Sequence, residues 1–268
     1  VGLYNNFPLN DQKAVLDSTP SVKVGQKVEA GSVVADNNFT KNGKLALGAN
    51  LRVAYVPFKG YNFEDGVVIS ESAAEKMTSI HLHKPEMSKG DAVTDPAKYR
   101  IFHPEAFTAK QYEKVGADGV VKVGQRVHPG DPLVLATKPY ELRDRNSIAQ
   151  VRKSLTSQHT DASLTWRSDY PGTVVGVHTD KTGNVKVHVR TEERMQLGDK
   201  IAGRHGNKGI ITAVLPDREM PHTADGKPID MALNPAGIPG RMNMGQVLET
   251  AAGKIAQKTG QPYIVQNF

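Results

Sequence analysis

The 268-residue sequence contains no cysteine. That removes disulfides, thiolate zinc sites, iron–sulfur clusters and cysteine nucleophiles together. Aromatic residues are sparse at 6%, with Trp166 the single tryptophan. No apolar run approaches the roughly 18 residues that a membrane-spanning helix needs; Gly209–Leu215 is among the longest. The opening residues, Val1-Gly2-Leu3-Tyr4-Asn5-Asn6, carry neither the basic start nor the apolar stretch of a secretory signal, and no initiator Met. These absences set the expectation of a soluble, cytoplasmic chain without a membrane partner, processed or part of something larger.

What is present is glycine, proline and mixed charge. The 25 Gly and 16 Pro mark a turn-rich protein, and 34 Lys and Arg against 28 Asp and Glu leave a net charge of +6. A surplus of that size suits nucleic acid, an acidic ligand or nothing in particular, so the placement of the cations has to decide.

One stretch occurs twice. Val22-Lys23-Val24-Gly25-Gln26-Lys27-Val28-Glu29-Ala30-Gly31-Ser32-Val33-Val34-Ala35 returns as Val121-Lys122-Val123-Gly124-Gln125-Arg126-Val127-His128-Pro129-Gly130-Asp131-Pro132-Leu133-Val134. Each copy reads as three short strands separated by glycine turns, the pattern of a barrel-sandwich module. Biotin and lipoyl carriers share it, but neither copy has their exposed hairpin lysine in place. A further hairpin is expected over Gly172–Arg190, where Val185, Val187 and Val189 alternate with Lys186, His188 and Arg190 after a short polar tip, Thr179 to Asn184. Helices are few: a Ser72-x-x-Glu75 capping box predicts one through Met77. Asn243 as a cap and Gly260 as a stop predict another, with Val247, Leu248, Ala251, Ala252 and Ile255 on one face. Residues 140–170 are the most linker-like part. Trp166, Phe102, Phe107 and Tyr112 read as core.

Three segments could carry chemistry. In Leu197–Ile211, four glycines accompany Lys200, Arg204 and Lys208, a combination that can cradle phosphate but also fits a solvated basic turn. It is not a Walker loop, because no Gly-Lys-Ser/Thr stands at the required spacing. In Gly60–Ser70, Glu64 and Asp65 precede the apolar Val67-Val68-Ile69. Adjacent carboxylates at a strand mouth can hold a divalent cation, directly or through water, or simply form a surface turn. In Ile229–Gln246, a loop of prolines and glycines presents Arg241 ahead of a helix, a site for anionic oxygens or for a neighbouring acid. His81 and His83 lie two apart on one strand face, and with no third ligand in sight a structural role is expected.

Taken in order, Gly60-Tyr61-Asn62-Phe63-Glu64-Asp65, Gly198-Asp199-Lys200 with Ala202–Gly209, and Leu233-Asn234-Pro235 with Arg241-Met242-Asn243, Gly245-Gln246 and Leu248-Glu249-Thr250 resemble signature blocks of the β subunit of bacterial-type multisubunit RNA polymerases. The resemblance implies a mainly β protein with a few helices: a double-psi β-barrel with a barrel-sandwich, flap-like insertion. The first part of the barrel, with its hybrid-binding region, would span 1–119, the shortened insertion 120–190 and the second part of the barrel 191–268. It also implies roles. Lys200 and Lys208 would touch phosphates of the RNA end and the incoming nucleotide, with Arg204 beside them. Arg241 would hold the nucleotide's triphosphate. Glu64 and Asp65 would stand near the Mg²⁺ that arrives with the nucleotide, while the permanent Mg²⁺ would belong mainly to a β-prime-like subunit; no zinc is expected. The implied partners are that subunit, an N-terminal β-like fragment and other polymerase subunits, with template DNA, RNA transcript and NTPs. The family subunit is several times longer and has a longer flap tip, which suits either an excised fragment or a naturally split β subunit of the kind giant phages use. The alternative is a barrel module that binds nucleic acid or protein without chemistry. It accounts for the charge and the repeats, but not for the acid pair, lysine loop and arginine loop occurring together.

Overall fold

The computed structural model describes residues 5–10, 13–87, 92–139, 159–181 and 183–265. Short strands dominate, with a few short helices, as the composition implies; among the described residues no sheet closes into a barrel. The chain divides into two compact units, one of Val1–Leu45 with Ser79–Glu193, the other of Ala46–Thr78 with Arg194–Phe268.

The first unit is organised by the expected hairpin. Gly172–Thr179 pairs antiparallel with Val185–Glu193, from Thr179 opposite Val185 to Gly172 opposite Thr191. In the second strand Val185, Val187, Val189 and Thr191 are buried and the residues between them only partly so, which is the period of a half-buried strand. Around this pair the order is Glu86–Met87, Val185–Glu193, Gly172–Thr179, Arg126–Val127, with Ser79–His83 also joining Val185–Glu193. The second repeat copy lies in this core: Val121, Val127, Leu133 and Val134 are buried with Trp166, Val174, Val187 and Val189. The Trp166 indole N–H donates to the Tyr170 carbonyl at 2.8 Å, so a polar atom is not stranded there. The first copy departs from expectation. Among its residues only Ala35 is in a strand, paired with Pro20; the Ser21 amide reaches the Val34 carbonyl at 3.0 Å, but among the described residues no strand pairs with residues 22–34.

Two helices escaped the sequence reading. Asp95 accepts from the Lys98 amide ahead of Pro96–Phe102, and Thr108 with Gln111 forms a capping box for Ala109–Glu113. They bring Tyr99 and Tyr112 together with Val115 and Leu135 in a second small core, with Phe107 packed on it. The basic segment Leu142–Gln158 lies outside the described residues.

His83 is held by chemistry of its own. Its Nε2 lies 3.2 Å from Thr191 Oγ1 and 3.4 Å from Glu193 Oε1, and its ring meets Trp166 edge-on at 5.1 Å. Glu193 is also 3.8 Å from His81 Nε2. Among the described residues no cluster of three or more such groups is arranged for a metal ion. Burial, reinforced by Lys13, holds the His83 imidazole below the usual histidine value despite Glu193; burial with Lys84, His178 and Lys186 does the same for His188. With the folded value depressed, the neutral rings contribute stability above the unfolded value of about 6.5, and that contribution is lost as pH falls below it. Melting followed by circular dichroism should therefore show stability dropping between about pH 7.5 and 5.5, with a shallower slope in His83→Gln; an unchanged slope would remove His83 from this account.

The second unit has a five-stranded sheet in the order Lys200–Ala202, Lys208–Leu215, Gly66–Ser70, Met231–Leu233, Val53–Tyr55. Gly66–Ser70 is the central strand and is buried along its whole length. It runs parallel to Lys208–Leu215 and antiparallel to Met231–Leu233. Val67 and Ile69 pack with Ala73, Ala74, Ile211 and Met231, whereas Val68 packs with Met220 and Ala232. A strand buried on two faces reads as an unbroken apolar run, which is what Val67-Val68-Ile69 is. Helix Glu71–Lys76 follows at once. Its cap is Ser70, whose hydroxyl accepts from the Ala73 amide at 3.0 Å, not Ser72; the Ser72 amide donates to Asp217. The final helix is Gly245–Thr259, stopped by Gly260 at φ +67° as expected. Its start differs from expectation: Met244 occupies the cap without a side-chain bond, and the Asn243 amide donates to the Ile238 carbonyl at 3.0 Å. Of the apolar face, Val247, Leu248 and Ile255 are exposed.

Candidate functional site

The site grows out of the central strand's entrance. Residues 59–65 form a tight loop tied down at its middle. The buried Asn62 side chain accepts from the Phe58 amide at 2.8 Å and donates to the Val56 carbonyl at 2.7 Å. The Thr212 hydroxyl bridges the Tyr61 and Val67 carbonyls at 2.6 and 3.1 Å, and the Gly66 amide closes on Phe63 at 2.9 Å. Glu64 sits at the bend with φ +51°, a strained conformation for a non-glycine residue. Asp65 is thereby presented, exposed, at the strand mouth.

The adjacent strand brings a lysine to the same place. Ile210 pairs with Gly66, and its amide donates to the Asp65 carbonyl at 3.0 Å, so Lys208 enters the sheet next to Asp65. The approach is close enough to demand glycine at 209: a Cβ there would lie 2.4 Å from the Asp65 carbonyl oxygen. Lys200–Ala202 folds back on Lys208–Leu215 with Ala202 opposite Lys208 and Lys200 opposite Ile210. Alternation then puts Lys200 and Lys208 on the same solvent face as diagonal neighbours, with Cα atoms roughly 7–8 Å apart. Ile201, Gly209 and Ile211 face the other way; Ile211 is buried in the core, with Ile201 packed against it.

The glycines of this hairpin have local reasons. Gly198 and Gly206 adopt φ +89° and +76°, and a Cβ on Gly203 would collide with Asn207. The Gly198 and Gly203 amides are occupied by the Ile211 and Asn207 carbonyls at 2.8 Å each. Two of the segment's glycine amides are therefore committed to building the hairpin, and the Lys200 and Lys208 side chains are donors it offers to solvent.

Arg241 arrives from a third direction. The Asn234 side chain accepts from the Ala236 amide at 3.0 Å, the short helix Gly237–Gly240 follows, and Met242 at φ +52° turns the chain. Arg241 then meets Asp65 with both amino groups, Nη1 to Oδ1 at 2.6 Å and Nη2 to Oδ2 at 3.0 Å. This fork is bidentate and directional, though both partners are about half exposed. The Arg241 guanidinium, joined by Lys208, holds the Asp65 carboxyl below the usual carboxylate range, and Asp65 with Glu64 raises Arg241 in return.

Of the six residues singled out in the sequence, Asp65, Lys208 and Arg241 converge, with Glu64 beside them and Lys200 on the same hairpin face. Arg204 is engaged elsewhere: its amino groups reach Glu249 on the final helix and Asn50 at 2.7 Å. His205 also contacts Glu249, at 3.1 Å, and packs where a Cβ on Gly245 would stand 2.5 Å from its ring. No sequence motif gives a role to Asn62, Thr212, His205 or Glu249; Asn62 ties down only its own loop, whereas the tasks of the other three depend on contacts far apart along the chain.

This arrangement sits within a wider likeness. Residues 3–268 match the family described as RNA polymerase Rpb2, domain 6. The chain is 37% identical to the DNA-directed RNA polymerase subunit beta of Thermus thermophilus, over 98% of its own length and 25% of the relative's. The subunit of the same name from Deinococcus radiodurans is 35% identical over 96% of this chain and 24% of that one. That of Mycoplasmopsis synoviae is 33% identical over the whole chain and 24% of the relative. The chain thus spans about a quarter of the length of the curated relatives it matches. With the family match running almost end to end and three segments of its sequence converging on one edge of a sheet, the chain belongs to the RNA polymerase Rpb2, domain 6 family.

Proposed function

We propose that the chain is the β-subunit part of a DNA-directed RNA polymerase, supplying the phosphate-facing side chains for template-directed nucleotidyl transfer. The observation that carries this reading is the convergence of Asp65, Lys208 and Arg241 on one sheet edge, in a chain of this family. Lys200 and Lys208, spaced across one pleat of a rigid hairpin, suit successive anionic oxygens of an RNA end and an NTP. Arg241 suits the triphosphate, because its planar fork can exchange one bidentate anion for another. In that exchange Asp65 gives up the fork and, with Glu64, turns its carboxylate toward whatever cation accompanies the triphosphate. By holding Arg241 until then, Asp65 keeps it aimed and spares the reaction the cost of ordering it.

The acid pair fits Mg²⁺ only as an auxiliary. A hard cation takes about six oxygens, and among the described residues no three carboxylates or histidines cluster. Glu64 and Asp65 would hold it through water or beside substrate oxygens, where it would offset the charge developing on pyrophosphate as the RNA 3′ hydroxyl attacks in line. Water and substrate oxygens would complete the cation's coordination, with the permanent Mg²⁺ on a β-prime-like subunit and this chain inactive alone. The fold that goes with this reading is a double-psi barrel carrying a flap-like insertion, and the place of action is the cytoplasm; among the described residues no helix is long and apolar enough to cross a membrane.

The test is a tagged copy of this chain in its native source, purified with whatever accompanies it and given an RNA primer on an RNA–DNA scaffold with NTPs. Mg²⁺-dependent extension is the expected result. A chain that purifies alone and extends nothing would favour the passive binding module.

A further inference from the structure

The repeated sequence meets two different fates. Both copies follow the same path through their turns: Gly25 and Gly31 lie at φ +84° and +86°, and Gly124 and Gly130 at +88° and +86°. The turn hydrogen bonds also correspond. The Gln26 amide donates to the Lys23 carbonyl at 3.1 Å as Gln125 does to Lys122 at 3.3 Å. The Ser32 amide donates to Glu29 at 3.1 Å as Asp131 does to His128 at 2.9 Å.

The covers differ. In the second copy the Gly124 amide donates to the Val174 carbonyl at 2.7 Å and the Gly130 amide to the Trp166 carbonyl at 2.8 Å. Val174 and Trp166 return bonds to the carbonyls of Gln125 and Asp131, at 2.9 and 2.8 Å. Val127 pairs with Gly172, and beneath this ladder Val127 and Leu133 are 0% exposed. In the first copy the amides of Gly25, Val28 and Gly31 have no partner among the described residues. The counterparts of the two buried side chains, Val28 and Val34, are 46% and 37% exposed, and Val33 is open as well. Val24 and Val123, at the first turn, are exposed in both copies and serve as an internal control. A scaffold that keeps the turns of a finished module while leaving its apolar row and a set of amides uncovered lacks only its cover.

We propose that residues 22–35 form a docking groove for one polypeptide segment that lays two short strands over it, supplied by the part of the β sequence that lies outside these 268 residues. The twin copy describes the occupant. One stretch runs antiparallel to Lys27–Val28, places a small residue opposite Val28 as Gly172 stands opposite Val127, and buries a β-branched residue two positions on as Val174 does; a preceding stretch bonds the second turn through an aromatic residue as Trp166 does. Carbonyl groups, not phosphates, satisfy three amides above a row of valines, so nucleic acid is the wrong chemistry. A second copy is also unsuited, because its strand of this pattern, Gly172–Thr179, is already paired on both edges. Three quarters of the relatives' length, in contrast, is not in this chain.

The inference rests on the chain working inside a polymerase, so the experiment reads both. Hydrogen exchange is measured on the isolated chain and on the polymerase purified through it, and primer extension is assayed on the same preparation. In the isolated chain the Gly25, Val28 and Gly31 amides should exchange roughly a hundredfold faster than Gly124, Val127 and Gly130, and in the assembly that gap should close to within about tenfold. Val28→Asp should reopen it, and Val24→Asp should not. Protection without extension leaves the groove standing and removes the catalytic reading. Extension without protection does the reverse. Protection that rises with the concentration of the isolated chain, or only on adding an RNA–DNA hybrid, overturns the proposal in favour of self-association or nucleic acid. A chain recovered alone, with these amides still fast, overturns both.

Discussion

Arg241→Ala and Lys208→Ala should each slow single-nucleotide addition by the assembled polymerase roughly a hundredfold, the usual effect of losing one charged donor to a transition-state oxyanion. The two losses should differ in kind. Arg241 faces the substrate side of the proposed site, so its loss should raise the KM for NTP as well as lower kcat. Lys208, which the proposal places beside the developing negative charge, should act mainly on kcat. Arg241→Lys should recover little, because a point charge cannot reproduce a fork that meets Asp65 through two nitrogens. Both side chains are exposed, so melting temperatures should barely move, and that separates a catalytic loss from a folding one. Rapid-quench measurement at saturating and limiting NTP checks this; wild-type rates in both alanine variants would remove the site assignment. Pyrophosphorolysis, which passes through the same transition state, should fall in parallel.

Gly209→Ala should be the most damaging single-methyl change in the second unit. The added carbon would lie 2.4 Å from the Asp65 carbonyl oxygen and 2.6 Å from a Val67 methyl, and the first of these is backbone that cannot swing aside. Overpacking of this sort costs about 1–3 kcal/mol, and the upper end applies where the neighbour is a paired main chain. The clash would push Asp65 away from Lys208 and loosen the Ile210–Asp65 bond that joins the two strands. Activity should therefore fall further than stability alone explains. Gly237→Ala is the control: it lies in the loop that carries Arg241, and a Cβ there meets nothing within 4 Å. Equal stability of the two variants in a urea titration would show that the strands are less closely joined than their register implies.

How much of this was legible in the sequence depends on the range of the contact. Alternating valines over Val185–Val189 and the unbroken Val67-Val68-Ile69 declared their strands, because burial on one face or two leaves a period that survives in one dimension. Gly260 declared the end of the last helix because a left-handed stop favours that residue. The acid pair, the lysines and Arg241 stood out as residue types, but the sequence offered no way to see that Asp65 would sit between Lys208 and Arg241, or that Glu249 would engage Arg204. The first depends on parallel strands whose register is set by packing and on a loop and short helix brought in from elsewhere in the chain; the second depends on a helix brought in likewise. The first helix is capped by Ser70, not Ser72, because the strand's end leaves the Ser70 hydroxyl facing the Ala73 amide, while the Ser72 amide is taken by Asp217. The first repeat copy misled for the opposite reason: its pattern is that of a strand-forming segment, but a strand exists only where a neighbour completes it.

The second unit is discontinuous. Gly66–Ser70 and Lys208–Leu215 lie side by side, yet the whole of Ser79–Glu193 is threaded between them. On a ribosome the central strand emerges long before its parallel neighbour, and its apolar run must wait while the other unit folds. The wait is tolerable because the excursion leaves and returns at one place: Arg194 reaches Glu75 at 2.8 Å, and the Met195 amide approaches the Ala74 carbonyl at 3.4 Å. Closing a chain over a pre-folded excursion costs far less than closing the same length of coil, since entropy counts only the freely moving links. Order of synthesis thus becomes order of assembly, with the sheet edge that holds Asp65, Lys208 and Arg241 among the last parts of the molecule to exist.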